Sequence, residues 1–173
     1  MKKSTIVLLV IGVIILGIII FAISGYNSLV KMEEEVNSAF SNIDTNLQRR
    51  ADLIPNLVST VKEARAKLAG ASTVEEKANA DSELTSALNR LMIVVENYPD
   101  LKSSENFRQL ADELAGTENR IAVARRDYNE MVKKYNSQRK KFPTNILAGM
   151  FGFESKEYFE ASDNASEVPN VEF

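Results

Sequence analysis

Ile6-Val7-Leu8-Leu9-Val10-Ile11-Gly12-Val13-Ile14-Ile15-Leu16-Gly17-Ile18-Ile19-Ile20-Phe21-Ala22-Ile23 contains no charged side chain, and everything after Tyr26 is polar and helix-patterned. As a helix, this run rises roughly 27 Å, close to the hydrocarbon thickness of a bilayer. A helix satisfies its own backbone groups, so the segment can sit in lipid. It reads as a membrane span, with Ile6, Leu9, Ile15, Ile20 and Ile23 among its lipid-facing side chains. A cleaved signal sequence is the competing reading, because Ala22-Ile23-Ser24 loosely fits a small-x-small cleavage site. The apolar core of such signals runs only about 7–15 residues, which favours a retained anchor.

Lys2 and Lys3 precede the span. Only Lys31 follows it closely, and Glu33, Glu34 and Glu35 come next. The excess of lysine before the span predicts a cytoplasmic N-terminus and an extracytoplasmic body in a single-pass cell-membrane protein. The chain has 21 Lys+Arg and 24 Asp+Glu, so beyond Lys2 and Lys3 the body holds 19 cations against 24 acids. That balance argues against nucleic-acid binding, which calls for a basic face. The sequence contains no His, Cys or Trp. A His-based triad, a thiolate nucleophile, a disulfide and the usual zinc or haem ligation are therefore absent. There is no G-x-S-x-G turn and no Gly-rich phosphate loop. These features predict a protein that is not an enzyme and holds no cofactor.

The body carries three helical patterns. Val36, Phe40, Ile43, Leu47, Ile54, Leu57, Val61, Ala64 and Leu68 form one apolar stripe over 29–68, with Arg50 standing on it. Pro55 predicts a kink or restart near Asp52, which could cap a restarted helix. Ser72 with Glu75, or Thr73 with Glu76, opens the second helix. Its inner positions are Val74, Ala78, Leu84, Leu88, Leu91, Val95 and Tyr98. Phe107, Leu110 or Ala111, Leu114, Thr117, Ile121, Ala124, Tyr128, Met131 and Tyr135 give the third helix a heptad-like register. It ends in Arg139-Lys140-Lys141 and then Phe142-Pro143. Ile146–Phe153 reads as a short fourth helix capping the bundle, in preference to a lipid contact through Phe151 and Phe153. The expected class is all-α: a transmembrane helix followed by an antiparallel up-and-down bundle of three long helices and one short one. The expected divisions are an anchor over 1–25, a bundle over 26–153 and a flexible acidic tail over 154–173.

Several stretches together carry a resemblance. They are Tyr26-Asn27-Ser28-Leu29-Val30, Arg49-Arg50-Ala51-Asp52-Leu53-Ile54-Pro55-Asn56-Leu57-Val58, Ala124-Arg125-Arg126-Asp127-Tyr128-Asn129 and Phe142-Pro143-Thr144-Asn145-Ile146-Leu147-Ala148. They resemble the LemA family over nearly the whole chain. The resemblance implies a short N-terminal segment, one span, a four-helix up-and-down arrangement and no established catalytic activity.

Candidate sites follow from charge and register. Arg50, on the apolar stripe, needs an acidic partner, for which Asp127 and Glu118 on the third helix are the candidates. Arg49, Arg50, Asp52, Pro55 and Asn56, with Asp127 and Asn129, form the candidate structural or partner site. Asn129 and Asn136, seven residues apart beside tyrosines, are expected to make interhelical hydrogen bonds. The base of the first helix, with Val36, Phe40 and Ile43, lacks cover from the shorter second helix. It is the candidate assembly stripe, covered by another subunit, a membrane partner or the C-terminal tail, or else packed internally through a kink at Pro55. Glu33-Glu34-Glu35 points in three directions and suits a solvated collar better than a metal site. The basic end of the third helix complements the helix dipole. The expected partners are the membrane and a second protein or a second copy, with the body as a docking or assembly module. A ligand or lipid sensor at Arg49–Asn56 is one alternative; an enzyme with a Ser–Lys or carboxylate site, which composition leaves open, is a disfavoured second.

Overall fold

Apolar residues at helical spacing, almost without proline, leave little room for any other element. In the computed structural model, which describes residues 3–53, 59–96, 98 and 105–160, every regular element is a helix. These are α1 (Lys3–Leu53), α2 (Ser59–Gly70), α3 (Val74–Glu96), α4 (Glu105–Lys140) and α5 (Thr144–Phe151). Lys2, Pro55 and Asn56 lie outside the described residues.

The chain forms two compact units, Met1–Ser38 with Glu130–Lys156, and Ala39–Asn129 with Glu157–Phe173. In the first unit, α1 carries the apolar run, exposed throughout Ile6–Ile20 and long and apolar enough to cross a membrane. Beyond it, Leu29 and Val36 of α1 pack with Val132 and Tyr135 of α4 and with Leu147 and Ala148 of α5 as the unit's core. Gly25 is where α5 meets α1: a Cβ there would lie 2.7 Å from Leu147 Cδ1. Tyr26 stacks edge-on against Phe151 and Phe153, with ring centroids 5.0 and 5.6 Å apart. The αL conformation of Gly152 (φ 75°) closes α5 and releases the chain as an extended segment.

In the second unit, Ile43 and Leu47 of α1, Ala64 and Leu68 of α2, Leu84 and Leu88 of α3, and Ile121 and Tyr128 of α4 form the core. The expected long first helix is divided. Asp52 and Arg65 approach to 3.8 Å, whereas a straight helix would hold them about 20 Å apart. Residues 59–70 therefore fold back on α1. Asp52 lies in the last turn of α1 and does not start the next helix. The capping box forms at Thr73 and Glu76: Glu76 N–H donates to Thr73 Oγ1 and Thr73 N–H to Glu76 Oε2, both at 3.1 Å. Ser72 also gives its N–H to Glu76 (2.8 Å), not to Glu75. Tyr98, expected inside, is 61% exposed, because α3 ends at Glu96 and no helical register carries it inward.

Of the two readings of the candidate assembly stripe, internal packing accounts for its burial within the single chain. Val36 and Ile43 are 2% and 0% exposed within the single chain, and the half-buried Phe40 meets the Tyr128 ring at 5.8 Å. At Phe40 the cover comes from Tyr128 of α4. Val36 and Ile43 are core residues of the single chain.

Candidate functional site

Arg50 sits on the apolar stripe of α1 and is 5% exposed. Its Nη1 donates to Asp81 Oδ1 of α3 at 2.9 Å and lies 2.7 Å from Glu118 Oε2 of α4. The Glu118 contact is an ion pair without hydrogen-bond alignment. Arg125 of α4 pairs with the other Asp81 oxygen and lies over the Phe159 ring, 4.8 Å from its centroid. Two cations and two acids from three helices thus neutralise each other. Burial pushes the Asp81 carboxyl above its ordinary range; Arg125 and Arg50 oppose that rise and Glu118 adds to it. Beside this cluster, the 7% exposed Lys77 pairs with Asp44.

A groove of about 510 Å³ runs along the α1–α2 face, lined by Asp44, Gln48, Asp52, Lys62, Arg65 and Lys77 together with alanines and leucines. Four of its charges are paired across it, Asp44 with Lys77 and Asp52 with Arg65. Lys62 is exposed. Among the described residues no group of three His, Cys, Asp or Glu could hold a metal ion.

The other ordered feature is the extended segment after α5. In the first unit, Asn136 binds the main chain of Lys156 twice: its Nδ2 donates to the carbonyl (2.8 Å) and its Oδ1 accepts from the N–H (3.0 Å). Tyr135 Oη donates to Glu154 O (2.9 Å) and Arg139 Nε to Phe153 O (2.7 Å). In the second unit, Asn129 grips Phe159 in the same way, at 2.9 and 2.8 Å. Tyr128 Oη donates to Glu157 O there (2.9 Å). Burial pushes both tyrosine hydroxyls up, keeping them protonated donors at neutral pH.

The LemA family model matches residues 39–173, well over half of the chain. The chain belongs to the LemA family. It is 30% identical over 175 residues to magnetosome protein MamQ 2 of Paramagnetospirillum magneticum, covering 78% of this chain and 64% of that protein. It is 29% identical over 189 residues to magnetosome protein MamQ of Magnetospirillum gryphiswaldense, covering 84% and 70% respectively. Protein LemA of Metamycoplasma hominis is 30% identical over 171 residues, covering 87% of this chain and 76% of that one. The chain thus spans just under two thirds of the length of the first of these relatives.

In this LemA-family chain the expected site is only partly assembled. Arg50 finds Glu118 as expected, but its main hydrogen-bonded partner is Asp81, which sequence reasoning missed. Asp127 lies instead beside Arg126 (3.3 Å). Arg49 is exposed and faces Glu113 at 3.9 Å. Asp52 faces Arg65, and Asn129 holds Phe159 rather than another helix. A signal for Asp81 existed: it falls three residues after Ala78 and three before Leu84, on the buried face of α3. Arg125 likewise lies one turn from the buried Ile121. Glu33 and Glu35 pair with Lys156 and Lys31.

Proposed function

We propose that this LemA-family protein is a non-enzymatic, single-pass, membrane-anchored docking or assembly module. The α1–α2 groove is the observation that carries the reading. Its charges alternate in sign and are mostly neutralised across it, so it offers a mixed polar and apolar shelf for a polypeptide. It does not offer a concentrated charge for a small anion. The strongest candidate anion receptor, Arg50, is already committed to Asp81 and Glu118, which weighs against a ligand sensor at Arg49–Asn56. Exposure of every large apolar side chain in the Ile6–Ile23 run supports the anchor. The two lysines ahead of the run favour a cytoplasmic N-terminus with the body outside.

A photo-crosslinking residue in place of Lys62, in the full-length protein in its own membranes, tests the docking reading. The expected result is a discrete protein adduct that is lost when Gln48 is also replaced by Glu. The overturning result is no adduct, combined with a rise in melting temperature on adding a small anionic ligand.

A further inference from the structure

A helix that caps a bundle should bury one face and show a polar one, and α5 does not. Thr144, Leu147 and Ala148 face inward and are buried. Outward it shows Ile146 and Met150, which are 52% and 73% exposed, and Phe142 just before it is 81% exposed. Phe151 is on the inner side, against Tyr26, with part of its ring exposed. So α5 has apolar side chains on both faces. Single exposed apolar residues are ordinary, but three within nine residues, on and just before one short helix, form a patch.

The position of α5 indicates what covers that patch. α5 meets α1 at Gly25, two residues after the last residue of the apolar run, or about 3 Å along the helix axis. Cover of α1 begins at Ala22, inside the run itself. Tyr26, an aromatic with one polar end, stacks on Phe151 at that level, where amphipathic rings favour the boundary between lipid and water. Lys140 and Lys141, both exposed, lead directly into Phe142 and α5. Cations beside an apolar helix face are the pattern of an element lying in the headgroup layer, with its apolar side a few ångströms into the acyl chains.

We propose that Phe142 and the outer face of α5, Ile146 and Met150, insert into the same bilayer that α1 crosses. They form a second, interfacial membrane contact that clamps the base of α1 at the lipid surface. The partner is lipid: the patch continues the apolar surface of the span and is flanked by charge suited to anionic headgroups. This inference rests on the anchor reading, and the experiment separates the two.

The chain contains no tryptophan, so Met150→Trp, Phe142→Trp and Ile15→Trp each give a single reporter. Each full-length variant is reconstituted in vesicles of phosphatidylcholine and phosphatidylglycerol, with helicity checked by circular dichroism. Lipids brominated near the headgroup or near the bilayer centre then serve as quenchers. Met150→Trp is expected to emit to the blue of a water-exposed indole and to lose roughly half its emission to the shallow quencher, with less loss to the deep one. Ile15→Trp is expected to show the reverse order. Phe142→Trp carries the test if Met150→Trp does not fold. Quenching of Ile15→Trp with none at either α5 reporter overturns the inference and leaves the anchor standing. Blue-shifted α5 emission without bromine quenching means a protein cover and overturns it equally. An unquenched Ile15→Trp removes the anchor and the inference together.

Discussion

Arg50 occupies a position that the stripe would give to leucine, and the fold depends on what compensates its charge. Removing one member of a buried pair leaves the other uncompensated, at about 3–5 kcal/mol. Arg125 still pairs with Asp81 when Arg50 is lost, so Arg50→Ala should cost less than that, about 1–3 kcal/mol, in denaturant unfolding of the detergent-solubilised chain. A double-mutant cycle between Arg50 and Asp81 should show a coupling of about 0.5–3 kcal/mol. The same cycle between Arg50 and Asp127 should be additive to about 0.5 kcal/mol. The reverse pattern would reject the observed pairing. Glu76 is the second informative residue. The N–H groups of Ser72 and Thr73 and the Ser72 hydroxyl hold its carboxyl below the ordinary range. With the folded value lowered, the unfolded chain takes up the proton first on acidification. The stabilisation is whole above the unfolded value and is lost as pH falls through to the folded one. Glu76→Gln should thus lower the melting temperature at neutral pH, and the gap to wild type should close on acidification. Parallel curves would show that the cap contributes nothing through charge. The need for a partner at Arg50 was legible in its register; which acid answers was not, because that depends on how α3 and α4 are rotated, and one sequence does not record it.

Among the elements, α3, α4 and α5 were legible from their periodicity and stop signals, and Pro55 marked the division of the first helix. A proline signals that a helix ends, however, and not which way the chain turns next, so the fold-back of α2 stood beside a continued stalk as an open alternative. The segment from Glu154 was missed for another reason. Six acids and one lysine over 154–173 suggest a loose tail, and an extended chain held by side chains from a helix has no period of its own. Over 154–160 it is nonetheless held. The asparagines were the available clue. Each asparagine follows a tyrosine, and each Tyr-Asn pair holds main chain within its own unit. Asn129→Ala and Asn136→Ala each strip a main-chain N–H and carbonyl of their partners. Each should cost about 1–3 kcal/mol and speed hydrogen exchange at Phe159 and Lys156 respectively. Unchanged exchange at both amides would mean that the tyrosines alone hold the segment.

For the whole molecule, the all-α class followed from the lack of any strand-period stretch, and family membership followed from the Arg49–Val58 and Ala124–Asn129 motifs. The span rests on the Ile6–Ile23 run, and its prediction is direct. The full-length protein should sediment with membranes after a high-salt wash and be released only by detergent. Its mature N-terminus should precede Ile6. Recovery from culture fluid with an N-terminus beyond Ser24 would replace the anchor with a cleaved signal. Protease added from outside intact cells should cut the body if the N-terminus is cytoplasmic. The mode of attachment of residues 153–160 has a consequence of another kind. Asparagine amides grip peptide groups and are indifferent to side chains, while Glu157, Tyr158 and Glu160 point outward. Mutational drift can rewrite that outer lettering without unseating the strip, so related proteins could display different labels from one shared mount.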